Sequence, residues 1–362
     1  MNVNTGKREY RINVDEYCKM YSRAMKNILF VKQYPTFKRK AFIVACFALT
    51  FFSKKRSLNT NKVYLHYSNK VAETEGLDDY SIVFFGNRTS IRDYFSLPFY
   101  YNYMTCSEKI SLFKYSFTTH KQCKNDIPWA YWFEFLTLDF FLYKTGIKEI
   151  MTNDHYSKLG SSLSLLCEYR DISYVIKQHG FMFRNVELPE KLRCNKIYAF
   201  DQNEIDCFKR NLVKNADCQY IERYVDYIDF VNAECDQKII AIIENKSADM
   251  RDIISCAVRV VEKHKQDYKL YILLHPMSSE NDYSEYAEKN ICFSRERIGN
   301  ADIMVSPSST LFYNYLRSGY QGKILMVDTN HSLYDFKGKY SNLLYFDSIS
   351  DYAGALERLI SE

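Results

Sequence analysis

Short apolar runs that stop abruptly in polar residues, each separated from the next by a helix-length stretch, recur from about residue 80 to the end of the chain. In the first half they are Tyr80–Phe85, Ile147–Thr152, Ile172–Lys177 and Lys196–Phe200; in the second, Lys238–Ile243, Lys269–Leu274, Ala301–Val305 and Lys323–Val327. Helices are predicted over Lys158–Arg170, Asn203–Asn211, Asp249–Lys265, Leu311–Arg317 and Ser348–Ser361. In the third of these, Ile253, Ile254, Ala257, Val260 and Val261 recur at helical spacing. Strands alternating with helices imply βαβ units and parallel sheets. A polar stretch near Asn232–Gln237 separates the two series. The expected architecture is therefore α/β. Two doubly wound Rossmann-like domains, 1–233 and 234–362, face each other across a cleft that holds the active site. Residues 1–60 read as a helical, basic segment of the first domain.

Bulk properties agree with two domains of ordinary size. The chain has 362 residues, 47% of them apolar and 26% charged. A net charge of +5 is too mild to demand nucleic acid. The 32 tyrosines and 25 phenylalanines are read as a bias of composition rather than of function. Eleven cysteines form no CxxC pair and Met1 opens no signal peptide, so reduced thiols in a cytoplasmic protein are expected. No Cys/His cluster has zinc spacing. No run reaches the roughly 18 apolar residues that span a bilayer. The nearest, Ala41–Phe52, lies between Lys38-Arg39-Lys40 and Lys54-Lys55-Arg56. It reads either as a buried helix with solvated ends or as a segment peripheral to the inner membrane.

The chemistry gathers at strand ends, where α/β sheets bind ligands. His275-Pro276 follows one apolar run. Proline stops the strand and leaves an imidazole to donate to a phosphate or protonate it on departure. Ser306-Pro307-Ser308-Ser309-Thr310 follows another and opens a helix, where unpaired amides, the dipole and hydroxyls favour an anion; Asn314 lies within that helix. One cap needs one serine, so these hydroxyls exceed the structural need. In the first half, Gln178-His179-Gly180 ends a strand, with His179 as candidate general base. Asp154, in Asn153-Asp154-His155, is a second candidate base, an orienter of a histidine, or a helix cap. Asn87 and Arg88, in the turn after Phe85, are candidates for acceptor or phosphate contact, as are Gln178, Gly180 and His155.

The order Gln-His-Gly, then His-Pro, then a Ser/Thr-rich helix start resembles GT-B glycosyltransferases of bacterial surface-polysaccharide synthesis. It is similar in pattern to polysialyltransferase-like capsule sialyltransferases and to teichoic-acid glycerophosphotransferases. The resemblance covers about residues 147–328. It implies that His275, Pro276, Ser308, Ser309 and Thr310 hold a nucleotide phosphate, and that His179 is the base, with Gln178 where the teichoic-acid enzymes carry tryptophan. Asn314 stands near the place of a ribose-gripping glutamate. Asp154-His155 is the nearest counterpart of the sialyltransferases' acidic motif. The implied reaction moves a sugar from a nucleotide-activated donor, a CMP-sugar such as sialic acid or Kdo, to a hydroxyl of a capsule, lipopolysaccharide or related acceptor. Neither a cofactor nor a metal is expected, since no DxD motif is placed to bind one. A CDP-alditol phosphotransferase and a non-catalytic nucleotide-sugar-binding protein are the alternatives.

Overall fold

Six strands of the first half and six of the second form two separate sheets, parallel throughout. The computed structural model describes every residue except 1–2, 5–8, 11, 31–43, 46, 67–76, 86–96, 123–127, 156, 181–185, 224–229, 246–248, 276–277, 287–290, 308, 310, 330–339 and 362. The chain divides into two units, Met1–His179 with Val186–Tyr224, and Gly180–Asn185 with Val225–Glu362.

In chain order, the first unit contains α1 (Val14–Phe30), β1 (Lys62–His66), β2 (Ser81–Phe84), α2 (Cys106–His120), α3 (Trp129–Thr145), β3 (Glu149–Thr152), α4 (Lys158–Arg170), β4 (Ser173–Lys177), β5 (Lys196–Ala199), α5 (Gln202–Cys207) and β6 (Gln219–Glu222). Its sheet runs β2-β1-β3-β4-β5-β6. The order reverses between β1 and β3, the doubly wound switch point. Thr105 and Glu108 close a reciprocal capping box that starts α2, and Gly146 in the left-handed region ends α3. α3 is apolar nearly all round and buried over Ala130–Leu142, so it has no polar face to betray it as a helix. The carboxylate of Asp139, wholly buried within it, accepts from Tyr10, from Tyr17 at 2.9 Å and from Arg170. This network ties the N-terminal segment and α1 to α3 and α4. Glu134 pairs with Lys158, both buried, and the ammonium lies 4.3 Å from the Tyr131 ring centroid. The aromatic excess is thus structural here: Trp132, Tyr10, Tyr17, Tyr21, Tyr64, Tyr100, Tyr131 and Tyr174 are among the largest fully buried side chains.

The second unit contains β7 (Lys238–Ile243), α6 (Met250–Lys263), β8 (Tyr268–Leu273), β9 (Ile291–Ser294), β10 (Ile303–Pro307), α7 (Leu311–Arg317), β11 (Lys323–Val327), β12 (Leu343–Phe346) and α8 (Ile349–Ser361). Its sheet order, β9-β8-β7-β10-β11-β12, is the Rossmann order 3-2-1-4-5-6, with the switch point between β7 and β10. The core is mainly aliphatic, built from Ile240, Ile242, Ile253, Ile254, Val260, Val261, Leu270, Ile272, Val305, Leu325 and Leu356 with a few tyrosines. The two doubly wound Rossmann-like units match the α/β expectation. Cys18 is disulfide-bonded, which corrects the expectation of thiols throughout; eight other cysteines among the described residues are free.

Candidate functional site

Each sheet presents polar side chains at the carboxyl ends of its strands near the switch point. In the first unit β3 leads into Asn153-Asp154-His155, and its neighbour β4 leads into Gln178-His179-Gly180. Ser157 caps α4: its hydroxyl accepts from the Leu159 N–H at 3.1 Å. Asp154 braces that cap, accepting the Ser157 N–H at 3.1 Å and its hydroxyl. Gly160 permits the close approach. A Cβ on Gly160 would stand 2.8 Å from the Asp154 carbonyl oxygen.

Burial pushes the Asp154 carboxyl above its ordinary value, opposed by the Ser157 hydrogen bonds and by the nearby charges of His179 and Lys158. His179 is exposed yet close enough for its charge to act on Asp154. His155 is buried, packs edge-on to Phe208 at 5.6 Å, and is driven down to about 3, first by burial and then by the charge of His179. Its imidazole is therefore neutral across the ordinary pH range. Gln178 is buried too; its amide donates to Glu204, and its carbonyl accepts the Phe200 N–H at 2.8 Å. These bonds fix the loop that presents His179. Gly180 is half-buried beside it.

In the second unit His275 stands two residues beyond β8. Its backbone N–H donates to a Glu244 carboxylate oxygen at 2.7 Å, and its carbonyl accepts the Ser278 N–H at 2.9 Å. Glu244 itself, 4% exposed, follows β7, and its N–H donates to the Leu273 carbonyl at 3.0 Å. The Tyr283 phenol is pushed up by burial first and then by its bond to Glu244. β10 continues through Ser306 and Pro307, two residues beyond the predicted end. Ser306 is consequently inside the strand, fully buried, with its hydroxyl donating to the Pro307 carbonyl at 2.7 Å. Ser309 accepts the Leu311 N–H at 3.3 Å as α7 begins, and Asn314 is half-buried on α7.

β7 lies between β8 and β10. His275 and Ser309 therefore leave strands roughly 10 Å apart, with Glu244 between them. Pro276, Ser308, Thr310, Asn87 and Arg88 lie outside the described residues. Reading the sequence missed three groups. Glu244 is an acid directly after a pure apolar strand, a signal that was there to be used. Asp328, 2% exposed at the end of β11, accepts from Tyr345 at 3.1 Å. His66, buried at the end of β1 on the first switch point, belongs to a strand whose Lys62–His66 sequence has only three apolar residues. Among the described residues no group of three or more His, Cys, Asp or Glu is placed to hold a metal.

No family model and no curated protein sequence matches the chain. Solved structures do. A Listeria monocytogenes protein assigned as a UDP-N-acetylglucosamine 2-epimerase superposes with a TM-score of 0.53 at 10% identity, covering 84% of this chain and 88% of that one. The UDP-GlcNAc 2-epimerase of Methanocaldococcus jannaschii, in complex with UDP-GlcNAc and UDP, gives 0.51 at 8% identity, with 83% and 92% covered. The fold is GT-B. The lipopolysaccharide outer core galactosyltransferase WaaB also matches, at a TM-score of 0.44 and 12% identity over 83% of this chain and 90% of its own, too remote to add weight. At these identities the likeness speaks for the fold alone.

Proposed function

We propose that this protein is a glycosyltransferase that moves a sugar from a nucleotide-activated donor to a hydroxyl of a surface glycan. The observation that carries the reading is the placement of His275, its backbone held by Glu244, beside the switch point of a Rossmann-ordered sheet. That is where such a sheet takes a nucleotide. His275 and the start of α7 hold the donor phosphate; His179 takes the proton of the acceptor hydroxyl, with Asp154 acting on it through charge. The acceptor oxygen bonds to the anomeric carbon as the bond from that carbon to the phosphate oxygen breaks, and charge growing on the phosphate meets donors already in place. The sequence resemblance favours a CMP-sugar donor and a capsule- or lipopolysaccharide-like acceptor, with no metal needed.

A thermal-shift screen against CMP, CDP, UDP, GDP and their sugars tests this, because a ligand that binds only the folded state raises the melting temperature. Stabilisation by CMP and a CMP-sugar is expected, and silence across the whole set would sink the nucleotide site. His275→Ala should lower turnover about 10²–10³-fold and weaken nucleotide binding with it; unchanged binding would remove its role. His179→Ala should lower turnover about 10²–10⁴-fold with nucleotide binding kept, and normal turnover would pass the base role to Asp154. The likeness to a 2-epimerase crystallised with UDP-GlcNAc favours one second reading, isomerisation of the donor sugar itself. An altered sugar nucleotide formed without any acceptor would select it.

A further inference from the structure

Six large apolar side chains are prominently exposed among the described residues, and three of them lie on two elements that pack against each other. Phe52 is 80% exposed, Ile110 46% and Phe117 44%. Phe52 ends a short 3-10 turn, Thr50–Phe52, and the other two lie on α2. The two elements are locked together. The Lys109 ammonium donates to the Thr50 carbonyl at 2.6 Å and lies 5.4 Å from the Phe51 ring centroid. Phe47, just before the turn, stacks on Phe113 of α2 at 6.1 Å, and Phe113 meets Phe117 edge-on at 5.1 Å. Phe47 is itself buried, so the apolar run 41–52 spends that ring on the core and projects Phe52 outward.

Ile110 and Phe117 are two helical turns apart on one face of α2. Lys114 lies between them in sequence and Lys121 directly follows the helix; both are exposed, as are Lys54 and Lys55 directly after Phe52. In residues 47–60 and 105–122 the sole carboxylate is Glu108, which is buried and paired with Lys144. The two elements therefore expose apolar side chains together with lysines and, within them, no exposed carboxylate. A solvated face normally mixes both signs, and a protein-binding face of this kind would need an acidic partner patch. Apolar side chains that dip below a headgroup layer while lysines stay at its level satisfy both features.

We propose that the face built by Phe52, Ile110 and Phe117 with Lys54, Lys55, Lys114 and Lys121 docks the protein on the surface of an anionic phospholipid bilayer. It lies on the bilayer without crossing it; among the described residues no helix is long and apolar enough to span one. The proposal stands whether or not the site above transfers a sugar.

Flotation of the full-length protein with vesicles tests it. The protein should float with mixed phosphatidylcholine–phosphatidylglycerol vesicles at low salt, float less as salt rises, and stay behind with phosphatidylcholine alone. Each lysine replaced by glutamine should weaken binding about fivefold, so K54Q/K55Q/K114Q/K121Q should abolish it. Phe52→Ser should weaken it about tenfold or more. Ile110→Ser, on the other element, keeps the test intact if Phe52→Ser disturbs the turn, and circular dichroism melts confirm that each variant is folded. Failure to float with anionic vesicles overturns the proposal, as does equal flotation with neutral ones or unimpaired flotation of the folded variants. A concentration-dependent dimer lost in Phe52→Ser, without vesicle binding, overturns it as well and gives the face to a second copy of the chain.

Discussion

In the first unit Asp139, Glu134, Lys158 and Lys109 are buried in a shell of tyrosine, phenylalanine and tryptophan rings; in the second, the comparable interior is mainly isoleucine, leucine and valine with a few tyrosines. The buried carboxylates of the second unit that matter here, Glu244 and Asp328, sit at strand ends instead of inside helices. Each interior imposes its own tolerance. An aliphatic core responds to volume, since dispersion and the removal of apolar area from water are forgiving of direction. A buried ion needs its partner in place, because removing one charge strands the other in a medium that cannot solvate it. The first unit should therefore be brittle toward loss of single polar atoms, and the second should not.

The largest test of that contrast is Asp139→Ala. It leaves Arg170 and two tyrosine hydroxyls without their shared acceptor and should cost about 3–5 kcal/mol. Both tryptophans, Trp129 and Trp132, lie in the first unit. Their fluorescence in a urea titration reads that unit alone, while circular dichroism reads both. An early fluorescence transition with a later residual one in ellipticity is expected; coincident wild-type-like transitions would erase the contrast.

A smaller effect concerns His155, whose folded value near 3 lies below the ordinary 6.5. Between those values the unfolded chain binds a proton that the folded chain refuses, so stability falls as pH drops from about 6.5 toward about 3. Phenylalanine at 155 removes that proton and can keep the contact with Phe208. The slope of unfolding free energy against pH should then shrink by close to one proton between about pH 4 and 6, and an unchanged slope would mean that His155 is protonated in the fold. The smallest effect belongs to the second unit's surface. Lys263 pairs with Glu357 between α6 and α8 with both side chains about half exposed. Lys263→Ala should change stability by less than about 1 kcal/mol, and a larger loss would show the second unit leaning on charge after all.

The same contrast explains what could be read in advance. In the second unit β7 and β11 occupy their predicted residues, and α6 and α8 fall within two residues of expectation. Their apolar residues follow clean periods of strand and helix. α3 was invisible to the same method because it is surrounded on every side and has no polar face. β6, β9 and β12 also escaped, being short with mostly exposed or half-buried positions, and β1 escaped because only Val63, Tyr64 and Leu65 of it are apolar. At the candidate site, the histidines at strand ends were legible because a polar group terminating an apolar run is a local signal. Glu244 escaped because its importance comes from the neighbouring strand, whose His275 N–H it accepts.

The sequence by itself determined the parallel α/β class, the chain order of most elements and the histidines that end strands, since each follows from local periodicity and turn chemistry. Only the tertiary structure decided the sheet orders, which set β7 between β8 and β10 and so placed Glu244 between His275 and Ser309. It also decided that Ser306 lies inside a strand, that His155 is neutral and that Asp139 has three partners. Those outcomes depend on which distant segments share a buried space, where the cost of an unmet polar group is settled by neighbours that no local pattern names.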